Sequence, residues 1–154
     1  MDKMKVAIVG TVHQKGLEFL KDNGFEVLEV SDFNNQSLKD DLKFVDGILL
    51  RTSELGEDIL SHCTNLKIIS RHGVGYDNVD IDYLNRNKIA LGITSTSNAV
   101  SVAEHVMSFF IYLTKNLSLS DSLVKQGNFE RKSELPNFFE LYKKKVLIVG
   151  FGRI

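Results

Sequence analysis

Cysteine, proline and net charge are all scarce in this chain, and long apolar runs are missing. Cys63 is the single cysteine among 154 residues, so no internal disulfide can form and a reducing, cytoplasmic setting is expected. Cys63 reads as a small structural thiol and not as a nucleophile. A formal net charge of -1 offers no attraction to nucleic acid or to an anionic membrane. The longest apolar run, 106–113, is interrupted by Ser108 and is well short of the ~20 residues that a membrane span needs. Val6-Ala7-Ile8-Val9 is too short for a signal peptide and begins a strand. His13, His62, His72 and His105 show no metal-ligand spacing, so no metal site is expected. What remains, 43% apolar and 25% charged residues, is ordinary for a globular protein of about one domain's length.

Short apolar runs alternate with helical spacing over the first part of the chain. Lys5-Val6-Ala7-Ile8-Val9-Gly10 has the form of a buried parallel strand ending in glycine. Leu17, Phe19 and Leu20 predict a helix over 16–23, stopped by Asn23-Gly24. Further strands are expected at 25–30, 46–50, 66–71 and 89–93, with helices at 38–44, 55–62 and 81–87 between them. This alternation argues for βαβ units and a doubly wound α/β sheet of parallel strands. The strands are continuous apolar runs, which fits a sheet covered on both faces.

One stretch organises the rest: Arg71-His72-Gly73-Val74-Gly75-Tyr76-Asp77-Asn78-Val79-Asp80, directly after the fourth strand. Two glycines one residue apart allow a sharp turn and remove the Cβ atoms that would keep a ligand off the main chain. N–H groups freed in such a turn can hold an anion. The crevice beyond the carboxyl ends of the strands is where open α/β sheets bind ligands. The plainer alternative is a strand-to-helix connection with Asp77, Asn78 or Asp80 as helix N-cap.

The pattern changes after Thr94. A polar loop, Thr94-Ser95-Thr96-Ser97-Asn98, leads into the longest helix, about 100–115, which Asn98 or Ser101 could cap. Val102, Ala103, Val106, Met107, Phe109, Phe110, Ile111 and Leu113 make it apolar nearly all round, so burial against a second domain or another subunit is expected. The segment 119–145 carries Phe129, Leu135, Phe138, Phe139, Leu141 and Tyr142, the composition of an arm on a partner subunit or of a loop folded back on its own domain. Lys145-Val146-Leu147-Ile148-Val149 then reads as a strand running into Gly150-Phe151-Gly152-Arg153-Ile154, all but the last glycine of a dinucleotide-binding fingerprint. The chain is therefore expected to be the front portion of a longer protein.

Five stretches in order resemble the D-isomer-specific 2-hydroxyacid dehydrogenase family, which includes D-3-phosphoglycerate dehydrogenase. They are Leu49-Leu50-Arg51-Thr52-Ser53, Asn65 through the glycine turn to Asp80, Asn98-Ala99-Val100-Ser101-Val102-Ala103-Glu104-His105, Gly127-Asn128-Phe129-Glu130-Arg131, and Val149 to Ile154. The resemblance implies a flavodoxin-like parallel-sheet substrate domain over 1–98. An interdomain helix, a dimerisation arm and the first strand of a truncated Rossmann domain would follow over 99–154. It implies hydride transfer between C2 of a 2-hydroxy acid and a nicotinamide cofactor, NAD, with NADP not excluded.

Carried over by residue, the resemblance places Arg51, Ser53, Val74, Gly75 and Asn98 at the substrate. It places Val102, Gly150, Gly152, Arg153 and Ile154 at the cofactor. The family's catalytic arginine, glutamate and histidine would lie beyond Ile154, so no catalytic residue is expected in this chain and the chain alone is expected to be inactive. Glu104 and His105 then are not an acid–base pair, and His13, His62 and His105 read as packing residues. A small 2-hydroxy or 2-oxo acid is the expected ligand, and a second copy bound through 99–145 the expected partner. Val100 stands where phosphoglycerate-type members often carry a basic residue, which argues against a phosphorylated substrate. A non-catalytic module that binds a small carboxylate and dimerises is the alternative. A phosphoacceptor receiver domain is excluded, because Gly10-Thr11-Val12-His13 and Arg51-Thr52-Ser53 stand where its acidic residues would be.

Overall fold

The structure, a computed structural model, describes residues 3–154. It divides into two compact units, Met1–Ser95 and Thr96–Ile154, each described by itself.

In the first unit five strands, β1 (Lys5–Val9), β2 (Glu26–Val30), β3 (Gly47–Leu50), β4 (Ile68–Arg71) and β5 (Ala90–Ile93), form one sheet. The order is β2-β1-β3-β4-β5, and every pairing is parallel. Helices α1 (Gln14–Asp22), α2 (Asn35–Asp41), α3 (Glu57–Leu60) and α4 (Ile81–Asn87) supply the crossovers. The doubly wound α/β sheet expected from the apolar runs is therefore present. β1 and β3 are its centre: Ala7, Ile8, Val9, Ile48 and Leu50 are buried, as Ile69 is on β4. Leu38, Leu42, Leu55, Ile59, Leu60 and Leu84 cover them. Each such fully buried side chain contributes roughly 1.5–3 kcal/mol through the hydrophobic effect.

Caps set the helix starts. His13, expected to pack, instead caps α1, its Nδ1 accepting from the Lys15 N–H at 3.2 Å. α2 begins at Asn35, earlier than expected, because the Asn34 side chain accepts from the Ser37 N–H at 2.9 Å. Of the three candidate caps for α4, Asp80 serves: its Oδ1 accepts from the Tyr83 N–H at 2.8 Å.

The second unit holds α5 (Ala99–Thr114), α6 (Leu117–Lys125) and a 3-10 turn (Phe129–Glu134). The long helix lies where its apolar pattern predicts, and none of its residues is buried within this chain. The strand expected at 145–149 does not form. No strand pairs with it among the described residues, and Leu147 and Val149 are 88% and 91% exposed. A strand is stabilised by ladder bonds to a neighbour, and apolar composition alone cannot supply one. Within the described residues no helix is long and apolar enough to cross a membrane.

Candidate functional site

In a sheet of this order the chain leaves β1 toward β2 on one side and β3 on the other. Ligands of open α/β sheets bind at that reversal, beyond the carboxyl ends of the strands. Three turns meet this edge, following β1, β3 and β4.

Gly10 ends β1 with φ +112°, a region that side chains other than glycine rarely enter. A Cβ there would also stand 2.8 Å from the Cβ of Arg51. Arg51 follows β3, its N–H bonded to the Val9 carbonyl at 3.0 Å. Its Nη1 donates to Thr11 Oγ1 at 2.8 Å and to the Thr11 carbonyl at 3.3 Å. The guanidinium is exposed at this edge, and among the described residues its other N–H groups make no hydrogen bond. A guanidinium offers parallel N–H donors that match a carboxylate.

Beyond β4 the His72 N–H bonds the Leu50 carbonyl at 2.7 Å, and the chain then turns. Arg71 folds back over this turn, Nη1 donating to the His72 carbonyl at 2.8 Å. Its Cζ would stand 2.6 Å from any Cβ at Gly73, so a side chain there would have to displace the guanidinium. Arg71 Nε is buried and has no partner among the described residues. Val74 and Gly75 are exposed, and among the described residues their N–H groups are not hydrogen-bonded. Exposed N–H groups of this kind can hold an anion.

The turns after β3 and β4 are stitched together. Asn78 Nδ2 donates to the Ser53 carbonyl at 2.7 Å. The Leu55 N–H bonds the Asn78 carbonyl at 2.9 Å, and the Asp80 N–H bonds the Leu55 carbonyl at 3.1 Å. Buried Leu55 and Val79 pair as an isolated parallel bridge. Arg51, Ser53, Val74 and Gly75, proposed from sequence, thus share one edge of one unit. Gly10, Thr11 and Arg71 join them and were missed as site residues. The glycine that closes the first strand is the local signal for this turn.

The remaining sequence candidates lie in the second unit. Asn98 occupies the N-cap position of α5, but its side chain makes no capping bond; its carbonyl accepts from the Val102 N–H at 2.9 Å. Val102 is half-buried. Gly150 has φ +93°, and a Cβ at Gly150 or Gly152 would meet nothing within 4 Å. Ile154 lines an apolar cavity of about 450 Å³ together with Ala103, Val106, Phe110 and the 146–149 stretch. Arg153 is exposed.

Cys63 is buried, its Sγ donating to the Ile59 carbonyl at 3.6 Å. Burial pushes its thiol up to about 11, so it stays protonated at neutral pH and is no nucleophile. The sheet edge itself presents N–H and guanidinium donors, which can bind and orient a carboxylate.

Residues 6–144 match the family described as D-isomer specific 2-hydroxyacid dehydrogenase, catalytic domain. A D-3-phosphoglycerate dehydrogenase of Archaeoglobus fulgidus is 28% identical over 152 residues, 98% of this chain and 28% of the relative. A putative 2-hydroxyacid dehydrogenase of Staphylococcus saprophyticus is 30% identical over 158 residues, 98% of this chain and 49% of the relative. Among solved structures, the NADPH-dependent glyoxylate/hydroxypyruvate reductase of Sinorhizobium meliloti, in complex with NADP and malonate, superposes with a TM-score of 0.84. That likeness spans 99% of this chain and 47% of the reductase at 22% identity, and it establishes the fold. The chain thus spans between 28% and 49% of the length of these relatives.

Proposed function

This chain belongs to the D-isomer specific 2-hydroxyacid dehydrogenase family, and from that premise we propose that it is the substrate-binding front portion of an NAD-dependent oxidoreductase acting on the CH–OH group of a D-2-hydroxy acid. The observation that carries the proposal is the pair of N–H groups at Val74 and Gly75, unbonded among the described residues and on the same sheet edge as the Arg51 guanidinium. The N–H pair and the guanidinium would hold the substrate carboxylate, with Ser53 beside them on the stitched turn. The family resemblance adds Asn98 to the proposed substrate residues.

The cofactor end fits in conformation. Gly150, with φ +93°, and Gly152 leave bare backbone that a pyrophosphate could approach. Gly150, Gly152, Arg153 and Ile154 would hold that group and Val102 would flank the nicotinamide, which when bound gives or accepts the hydride. In this proposal residues 1–98 are the substrate domain, and 99–154 comprise the interdomain helix, the dimer arm and the start of the cofactor domain. The protein would work as a cytoplasmic homodimer through 99–145, a setting supported by its single, buried thiol. The histidine–glutamate pair that would move the proton and the arginine that would polarise the carbonyl would be supplied from beyond Ile154.

Two measurements test the reading on the 154-residue chain. Pyruvate titration followed by amide NMR is expected to move Val74 and Gly75, and Arg51→Ala to weaken binding about tenfold or more, the scale of a lost charged hydrogen bond. The chain alone is expected to show no NADH-linked turnover, and adding the remaining part of the protein to restore it. Unmoved Val74 and Gly75 amides would overturn the site. A folded, carboxylate-binding complex without turnover would place the protein among non-catalytic carboxylate binders.

A further inference from the structure

Arg51 is as useful to a carboxylate as its guanidinium is steady, and an arginine exposed at a sheet edge has many rotamers open to it. Here one nitrogen is held from a different strand. Nη1 meets both oxygens of Thr11, the hydroxyl at 2.8 Å and the carbonyl at 3.3 Å. Two acceptors on a single residue hold that end of the guanidinium in place. The Thr11 turn is anchored on both sides. Before it, Gly10 adopts φ +112° and lets the two chains approach so closely that a Cβ would lie 2.8 Å from Arg51 Cβ. After it, His13 caps α1 through its Nδ1, and its carbonyl accepts from the Gly16 N–H at 2.8 Å. The Arg51 backbone is itself bonded to Val9 at 3.0 Å. Backbone and side chain of Arg51 are therefore both held by β1 and its turn, and Nη2 and Nε are left to face a ligand.

We propose that Thr11 is a positioning residue for substrate binding, which acts through Arg51 and does not itself touch the substrate. This rests on the reading of Arg51 as a carboxylate ligand. The strand order makes it possible, because β3 lies directly beside β1.

The test is a double-mutant cycle in the 154-residue chain with pyruvate as the probe. Thr11→Val keeps the shape and removes the hydroxyl; it is expected to weaken binding about fivefold, less than the loss of Arg51 itself because the Thr11 carbonyl still accepts from Nη1, with Thr11→Ser within about twofold of the native chain. In an Arg51→Ala background, Thr11→Val should cost nothing more. Without ligand, the Arg51 Nε–H resonance should move or broaden in Thr11→Val and be restored in Thr11→Ser. Thr11→Val binding as tightly as the native chain while Arg51→Ala binds weakly would overturn the proposal and leave the site standing. A further loss on Thr11→Val in the Arg51→Ala background would also overturn it, since Thr11 would then touch the ligand. Native affinity in Arg51→Ala would instead remove the reading of Arg51 on which the proposal rests. An unmoved Arg51 resonance in Thr11→Val would overturn the positioning role directly.

Discussion

Asp46 shows how much one side chain can hold where strands begin. Its carboxylate accepts from Lys67 Nζ at 2.7 Å and from the Lys5 N–H at 2.9 Å, joining the entries of β1, β3 and β4. These bonds, the lysine side chain's first, hold its pKa below the usual 3.8. A carboxyl with a lower pKa folded than unfolded adds stability above its unfolded value and loses it as pH falls through the folded one. Asp46→Asn should therefore unfold at lower urea than the native chain at about pH 7, and the gap should close as pH drops below 3.8. Urea midpoints across that range measure it; a gap independent of pH would show that the charge is not what matters. Lys67 is largely exposed, so solvent screens the ion pair and the effect should shrink with added salt.

At the scale of elements, caps decide where the helices begin. Asp80→Ala removes the acceptor for the Tyr83 N–H and should destabilise the fold by about 1 kcal/mol, while Asp80→Asn retains an acceptor and should cost less. Thermal unfolding of the two variants checks this; equal losses would mean that the carboxylate's charge, not the cap, is responsible. The strands and α4 were legible in the sequence because their signals are local: apolar runs, a stopping glycine, an acid before a helix. The start of α2 was not, because it turns on which oxygen reaches the Ser37 N–H, and Asn34 does. Val146 to Val149 carry every local sign of a strand, but a strand depends on a neighbour that composition does not report. The site divides in the same way. Val74 and Gly75 could be proposed from the sequence because a glycine turn is visible there, and Arg51 through the family resemblance. Thr11 could not, because its bond to Arg51 spans 40 positions and exists only through the order β2-β1-β3.

For the whole molecule the open question is what covers α5. Val106, Met107, Phe109 and Leu113 lie between 42% and 69% exposed, more apolar surface on one helix than a lone chain usually leaves to water. Sedimentation velocity should show concentration-dependent self-association, and Phe109→Asp should shift it toward the monomer without lowering the unfolding midpoint. A native chain that stays monomeric at every concentration would count against the homodimer. The first unit has a different kind of order. The loop carrying Val74 and Gly75 is clamped at His72 by Leu50 and at Asp80 by Leu55, with Asn78 pinned to Ser53 between them. Immobilising a free backbone residue costs roughly 1–2 kcal/mol in conformational entropy at 25 °C. In this loop most of that cost is met when the chain folds, so a small anion arriving at Val74 and Gly75 has little left to freeze.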